Sequence, residues 1–286
     1  MFERLDRTVS VWDGRGRDPA HDMALTQAML RRCERDHGFA FLRISPPLTS
    51  VAFGSSDLVR AGATEAIKRA NAGGLAATRR LVGGNAVVLD NGCLRVELGI
   101  GTPDPRTGLR DRFAFMSELI EAAVRSLGVD LVAGEPEHSY CPGEFSLTTL
   151  APKASSGFES NARSGSSAAS CSSAQGNARG TETDGGKVVG IAQRIVKGAA
   201  LLSATITAQR QPSSVDVMTA VYDALGLGFS PKSVGQLGVA PSQVAQAIRT
   251  LATQRMDLTP WQPDGRVVAL ANASAGRFVL NRPGSG

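Results

Sequence analysis

Residues 79–98 read RRLVGGNAVVLDNGCLRVEL, and the alternation in this stretch decides the fold class. Leu94, Val96, Leu98 and Ile100 alternate with Arg95, Glu97 and Gly99, a period of two that predicts a strand with one face in the core. Residues 86–89 and the Asp90, Asn91, Gly92 set that follows predict a hairpin with a tight turn. Upstream, Arg79 and Arg80 lead into a glycine pair at 83 and 84. Glycine there lets backbone N–H groups come close to a bound carbonyl or phosphate, and the arginines put positive charge beside it. Taken without its neighbours, the same stretch also fits a turn or bulge flanked by solvated arginines.

Elements on either side extend the pattern. Asp18 and Pro19 precede HDMALTQAMLRRCERD, where Ala20, Met23, Ala24 and Leu30 share a helical face and Asp18 can cap the start. FAFLRI and SVAFG read as short strands about Pro46 and Pro47, and EAIKRANAGG as a short helix closed at Gly73 or Gly74. Phe113, Met116, Ile120, Ala123, Val124 and Leu127 form one stripe over residues 113–127, ended by Gly128. GKVVGIAQR and ALLSATIT predict a second hairpin turning at Lys197 and Gly198. SSVDVMTAVYDALG and PSQVAQAIRTLATQRM carry helical spacing. Strands outnumber parallel βαβ units, so the expected class is α+β, a mainly antiparallel sheet with packed helices. From about residue 151 to 186 the chain is dominated by Ser, Gly, Ala and Asn, with Phe158 its one large apolar residue, and reads as a mobile insertion.

Composition narrows the function classes. With 286 residues, 42% of them hydrophobic, the chain can bury a sizeable core. Its 31 Lys+Arg against 26 Asp+Glu give +5, which favours an acidic partner. Only 5% of residues are aromatic and no basic run reaches five, so the stacking platforms and basic stripes of a nucleic-acid binder are missing. No run approaches the roughly 18 apolar residues of a membrane span, and MFERLDRTVSVWDGRGRD lacks an apolar signal core, so a cytoplasmic protein away from the membrane is expected. Cys33, Cys93, Cys141 and Cys171 show no CxxC or Cys/His spacing, which argues against a disulfide framework and a zinc site; no metal is expected.

In chain order, HDMALTQAML, FLRISPPLTSVAFG, RRLVGGNAVVLDNG, SYCPGEFSL, GGKVVGIAQR and GAALLSATI resemble the lipoate-protein ligase and octanoyltransferase family, whose fold is shared with biotin-protein ligases. The resemblance covers roughly residues 18–230. It implies a catalytic domain over 1–230, with the insertion at about 151–186, and a short helical C-terminal extension over 231–286. It also implies transfer of an octanoyl or lipoyl group to one lysine of an acceptor protein, a lipoyl domain or the glycine-cleavage carrier. The basic net charge here suits an acidic acceptor.

The resemblance assigns roles residue by residue. Lys187, after Gly185 and Gly186, matches the family's GK lysine, whose ammonium can hold the acyl carbonyl and stabilise charge as it reacts; a lone lysine at a strand start is otherwise a solvated charge. Arg79, Arg80, Gly83, Gly84, Asn85, Gly190 and Gln193 are the expected lining of the acyl or adenylate site, with Asn85 standing where the family commonly has a third glycine. Arg194 is expected at the surface or against the acceptor. Cys141 occupies the loop position of the nucleophile in cysteine-dependent octanoyltransferases, where a thiolate can take the acyl group from a thioester and pass it on. A small buried cysteine is the alternative. His138 is either a neighbour that lowers the thiol's pKa or a plain polar loop residue, Cys33 and Cys93 are expected to be structural, and Cys171 lies in the insertion.

Three functions follow from this set. The favoured one is acyl transfer through a Cys141 thioester, with acyl carrier protein as a possible donor and no tightly bound cofactor. The second is an ATP-dependent ligase that passes through an acyl-adenylate, usually with magnesium; single-chain ligases of the family often carry a C-terminal accessory domain. About 55 residues follow the catalytic core here, few for an independent domain, which favours the thioester route. The third is a non-catalytic acyl-binding relative. Excising residues 154–183 removes little apolar burial and shortens a loop. The deletion variant is expected to melt cooperatively within about 10 °C of the full chain, and a larger drop in Tm shows that the segment packs on the core.

Overall fold

The computed structural model describes residues 5–150 and 185–280, so nearly all of the expected insertion, with Cys171, lies outside the described residues. The strands are β1 (Leu5–Trp12), β2 (Ala40–Ser45), β3 (Ser50–Phe53), β4 (Ala76–Arg79), β5 (Val87–Leu89), β6 (Cys93–Gly101), β7 (Leu131–Ala133), β8 (Leu147–Thr149), β9 (Gly186–Val196), β10 (Ala199–Thr207) and β11 (Met256–Pro260). The helices are α1 (Pro19–Arg35), α2 (Ala63–Ala72), α3 (Leu109–Arg125), α4 (Pro212–Leu225), α5 (Pro241–Arg255) and α6 (Gly265–Ser274). Asp18 starts α1 as its position predicts: its carboxylate accepts from the His21 N–H at 2.7 Å, with Pro19 in the first turn.

The alternating strand is β6, but the hairpin expected around it does not form. The Asp90 turn is present, its Oδ1 accepting from the Gly92 N–H at 2.8 Å. Beyond the turn the two strands part. β5 pairs antiparallel with β3 in a three-stranded sheet ordered β4-β3-β5, whereas β6 lies between β2 and β10 in an eight-stranded sheet ordered β11-β1-β2-β6-β10-β9-β8-β7. Length explains the choice: β10 offers nine residues to pair with the nine of β6, and β5 offers three. The second hairpin forms as read, β9 to β10 through Lys197 and Gly198, the glycine at φ +81. The large sheet is antiparallel except where β1 runs parallel to β2 and β11, which makes the fold α+β.

Both faces of the large sheet are covered. On one side Leu94, Val96, Leu98 and Ile100 pack with α3 and α5. Six residues of α3 are buried there besides Arg112, but the stripe is rotated from the expected one: Phe115 and Leu119 are inside, while Phe113 stacks on Phe145 with ring centroids 4.3 Å apart. On the other side lie α1, the small sheet, α2, α4 and α6, around a second apolar core. The chain after residue 231 is part of both layers, with α5 against α3, β11 beside β1 and α6 against α1.

β6 is buried at all nine positions, not on one face as expected, because α1 covers the side carrying Arg95 and Glu97. Those charges are neutralised in place. The Asp22 carboxylate of α1 bridges the Arg43 and Arg95 guanidinium groups, and Thr26 Oγ1 donates to Glu97 Oε2 at 2.8 Å while accepting from Arg43 Nη1 at 2.9 Å. The Gly16 N–H donates to Asp22 at 2.6 Å, and the Arg43 guanidinium lies 4.7 Å from the Trp12 ring centroid. Burial alone would raise the Asp22 carboxyl, but Arg95 and then Arg43 outweigh it and lower its pKa from 3.8 to about 2.

Removing one charge from such a cluster strands the others. Asp22→Asn is therefore expected to lose about 3–5 kcal/mol of unfolding free energy in urea titration. Because the folded pKa lies below the unfolded one, the Asp22 contribution is complete above about pH 4 and drains away as pH falls toward 2. Asp22→Asn should show a shallower loss of stability over that interval than the parent chain.

Candidate active site

After β4 the chain makes the arginine-glycine loop. The Arg80 N–H donates to the Phe53 carbonyl at 2.9 Å, which turns its side chain under the loop, where Nη1 donates to Asn85 O at 2.6 Å. The same Nη1 lies 3.2 Å from Cys141 Sγ. Gly84 has φ +101, and a Cβ on it would stand 2.5 Å from that sulfur, so the position requires glycine twice over. From β9, Arg194 Nη1 reaches across to Leu81 O at 2.8 Å and props the loop. In the turn after β3, Asp57 Oδ2 accepts from the Gly54 N–H at 2.8 Å, and burial raises this carboxyl above the usual range.

Cys141 comes from the segment between β7 and β8 and is half-buried, with a left-handed backbone at φ +43. Its N–H donates to the Tyr222 hydroxyl at 2.7 Å, and that hydroxyl donates to Ala86 O at 3.0 Å. Lys187 opens β9 and is fully buried. Its Nζ donates to Cys141 O at 2.7 Å, Tyr140 O at 3.0 Å and Glu135 Oε1 at 2.6 Å, so all three ammonium hydrogens have acceptors.

These groups enclose a cavity of about 140 Å³, walled by Arg80, Gly84, Tyr140, Cys141, Lys187 and Gly190. Through Arg80, Val87 and Thr205 it adjoins a narrow slot between the sheets, lined by Met23, Ala52, Leu81, Val82 and Leu89, with Arg95 and Glu97 among its walls. The slot is small, about 20 Å³, with an apolar side of Met23, Ala52, Leu81, Val82, Val87 and Leu89 and a polar side of Arg80, Arg95, Glu97, Ser203 and Thr205.

Of the residues singled out in the sequence, Arg80, Gly83, Gly84, Cys141, Lys187 and Gly190 meet at this cavity. Arg79 does not: it is exposed at the end of β4 and absent from the cavity lining, its side chain alternating away from that of Arg80. Gln193 pairs with Leu202, on the α3 and α5 side of the sheet, because an odd spacing from Gly190 puts it on the opposite face. Asn85 offers its carbonyl to Arg80, while its side chain meets Ser56 Oγ at 3.4 Å. His138 points outward beside Glu137, and the cation against the thiol is Arg80. Cys33 and Cys93 are buried; burial pushes the Cys33 thiol up to about 12 and raises that of Cys93 as well. Glu135 and Tyr222 have no counterpart in the sequence reading, because each meets the site only through the tertiary fold. Among the described residues no group of three or more His, Cys, Asp or Glu is arranged to hold a metal ion.

The long, mainly antiparallel sheet with a small sheet packed over it has counterparts among solved lipoate-protein ligases. Lipoate-protein ligase A bound with ATP superposes with a TM-score of 0.65 at 18% identity, covering 95% of this chain and 94% of that one. The bi-partite lipoate protein ligase from Thermoplasma acidophilum, solved in a study of that protein and its E2 lipoyl domain, gives 0.58 at 16% identity, covering 95% and 92%. Residues 18–235 match the lipoyl protein ligase A/B catalytic domain, and the chain belongs to that family. Among curated proteins, octanoyl-[GcvH]:protein N-octanoyltransferase of Geobacillus kaustophilus is 28% identical over 131 residues, 46% of either protein, so the match spans about half the length of that relative.

The two loop glycines make a direct test of this geometry. Gly84→Ala forces a positive-φ alanine against the sulfur and is expected to lower unfolding free energy by about 1–3 kcal/mol. Gly83→Ala meets no atom within 4 Å and is expected to stay within about 0.5 kcal/mol of the parent. Equal effects in urea titration would contradict the described packing of the loop.

Proposed function

We propose that the chain is an acyltransferase that moves an octanoyl or lipoyl group from a donor protein to a lysine of an acceptor protein through a thioester on Cys141. The observation that carries this reading is the seat of the thiol: it lines a cavity of about 140 Å³, 3.2 Å from the Arg80 guanidinium, with Lys187 bonded to its own carbonyl. Family membership supports the acyl chemistry, and the name of the Geobacillus relative supplies an octanoylated protein as donor and a protein as acceptor. The acceptor on this reading is an acidic lipoyl domain or glycine-cleavage carrier, suited to a chain of net charge +5. Octanoyl carrier protein is the other candidate donor.

In the first half-reaction Cys141 attacks the donor's acyl carbonyl as the thiolate, its proton passing to solvent, with the Arg80 guanidinium beside the sulfur. The oxyanion that forms faces the Gly83 and Gly84 backbone, and Lys187 takes part by exchanging its Glu135 contact for the acyl oxygen. The bond to the donor's sulfur or nitrogen then breaks, the leaving group takes a proton, and the acyl chain remains on Sγ. In the second, the neutral amine of the acceptor lysine attacks the thioester. The C–S bond breaks, Cys141 returns as thiolate, and the amine's proton passes to solvent. No nucleotide or oxidant enters the balance.

Intact mass spectrometry tests this directly. Incubation with octanoyl carrier protein or an octanoylated glycine-cleavage carrier should add one octanoyl mass that hydroxylamine removes, and Cys141→Ala should gain none. Lys187→Ala should acylate and release on the order of 10²-fold more slowly, as befits loss of a well-placed charge. If Cys141→Ala transfers at near the parent rate and activity requires octanoate or lipoate with ATP, the thioester reading fails and the adenylating ligase replaces it.

A further inference from the structure

The thiol loop and the glycine loop arrive at the cavity from different sheets, and their close approach has to be maintained by contacts across the gap. Arg80 makes one of these, to a sulfur that must stay free to react. Lys187 and Arg194 tie the two loops separately to β9, and one further contact joins them through a residue with no part in the chemistry. Tyr222 projects from α4 and is almost wholly buried, its ring tilted against Phe229 at 5.2 Å between centroids. Its hydroxyl touches main chain on both sides, accepting from the Cys141 N–H and donating to the Ala86 carbonyl.

We infer that Tyr222 is the positioning residue of this site: its single hydroxyl clamps the Cys141 loop to the glycine loop and so sets the distance from sulfur to Arg80 and Gly84. The inference rests on the reading of Cys141 as acyl carrier. The left-handed backbone at Cys141 turns its N–H into the protein, where an unmade hydrogen bond is costly. Tyr222 answers that need with a donor-acceptor group too small to intrude on the cavity. Burial, then the adjacent Cys141, raises the phenol above its usual range, which favours the protonated hydroxyl that the bond to Ala86 O needs. Displacement of the thiol by even about 1 Å costs on the order of 10²-fold in rate, which is the scale on which such a clamp acts.

The test is Tyr222→Phe, which keeps the ring and deletes the clamp, in the full chain. Labelling with [15N]cysteine gives one amide signal for each of the four cysteines, assigned by single Cys→Ser variants. In the parent the Cys141 N–H should exchange slowly with solvent. In Tyr222→Phe its exchange should accelerate by about 10-fold or more, with Cys33 and Cys93 unchanged, and kcat for acyl transfer should fall about 10- to 100-fold at unaltered KM. Phe229→Leu, which loosens the ring's packing and leaves the hydroxyl, should lower Tm while keeping Cys141 protection and kcat within about twofold. Rapid exchange at Cys141 in the parent overturns the inference whether or not Tyr222→Phe folds. So does a Tyr222→Phe that keeps parental protection or kcat, or a Phe229→Leu that loses kcat as severely. If Cys141→Ala is active the thioester reading falls, and the exchange measurement still decides the clamp separately.

Discussion

Asp22 sits between Arg43 and Arg95, with Glu97 and Thr26 closing the cluster, and no member of it is exposed. Burying four charges costs several kcal/mol for each before they are paired, so the cluster is tolerable only when complete. That requirement makes it a gauge of register. Arg43 stands opposite Glu97 across the β2 and β6 pair, and a slip by one residue would turn Arg43 into the apolar layer under α3 and α5. The same cluster fixes the rotation of α1, which places Met23 in one wall of the slot. Arg95 and Glu97 are then both network members and slot lining, so the shape of the slot follows from the pairing of the charges.

The reactive cavity is assembled at a junction between sheets. The large sheet contributes Lys187 and Gly190 through β9, the small sheet carries the arginine-glycine loop, and the segment between β7 and β8 brings the thiol. Two left-handed residues, Gly84 and Cys141, face each other there. One has no side chain to be displaced, and the other is held by its N–H and its carbonyl together. Backbone conformations of this kind persist only where the surroundings over-determine them.

Local features of the sequence reported local structure well. Asp18 capped its helix, Lys197 and Gly198 turned their hairpin, and the period-two run at residues 94–100 became a strand. Pairing partners were another matter. The turn at residues 90–92 has the residues of a hairpin, yet whether its arms pair depends on β2 and β10, which approach from about 50 residues before and 100 residues after. Polarity also misled, since Arg95 and Glu97 have the look of a solvated face until α1 covers them. At the site, the fold brings the motif residues Gly84 and Lys187 to one cavity, the first by its backbone and the second by its ammonium group. Strand parity puts Gln193 on the other face of the sheet, and Arg79 alternates away from Arg80, so neither lines the cavity. Glu135 and Tyr222 carry no local pattern; Tyr222 reads as one more apolar position on a helix.

The crossing at residues 90–92 bears on how this protein can change over generations. In a surface hairpin, gaining or losing a residue at the tip alters little beyond the tip. Here the three residues tie the end of β5 in one sheet to the start of β6 in the other. A length change would be passed on as a shift of one sheet against the other, and the slot lies between them. Lineages that drift in the rest of their loops should therefore conserve the length of this one, and natural variation in the shape of the slot should be sought in side chains such as Met23, Val82 and Leu89 before it is sought in insertions.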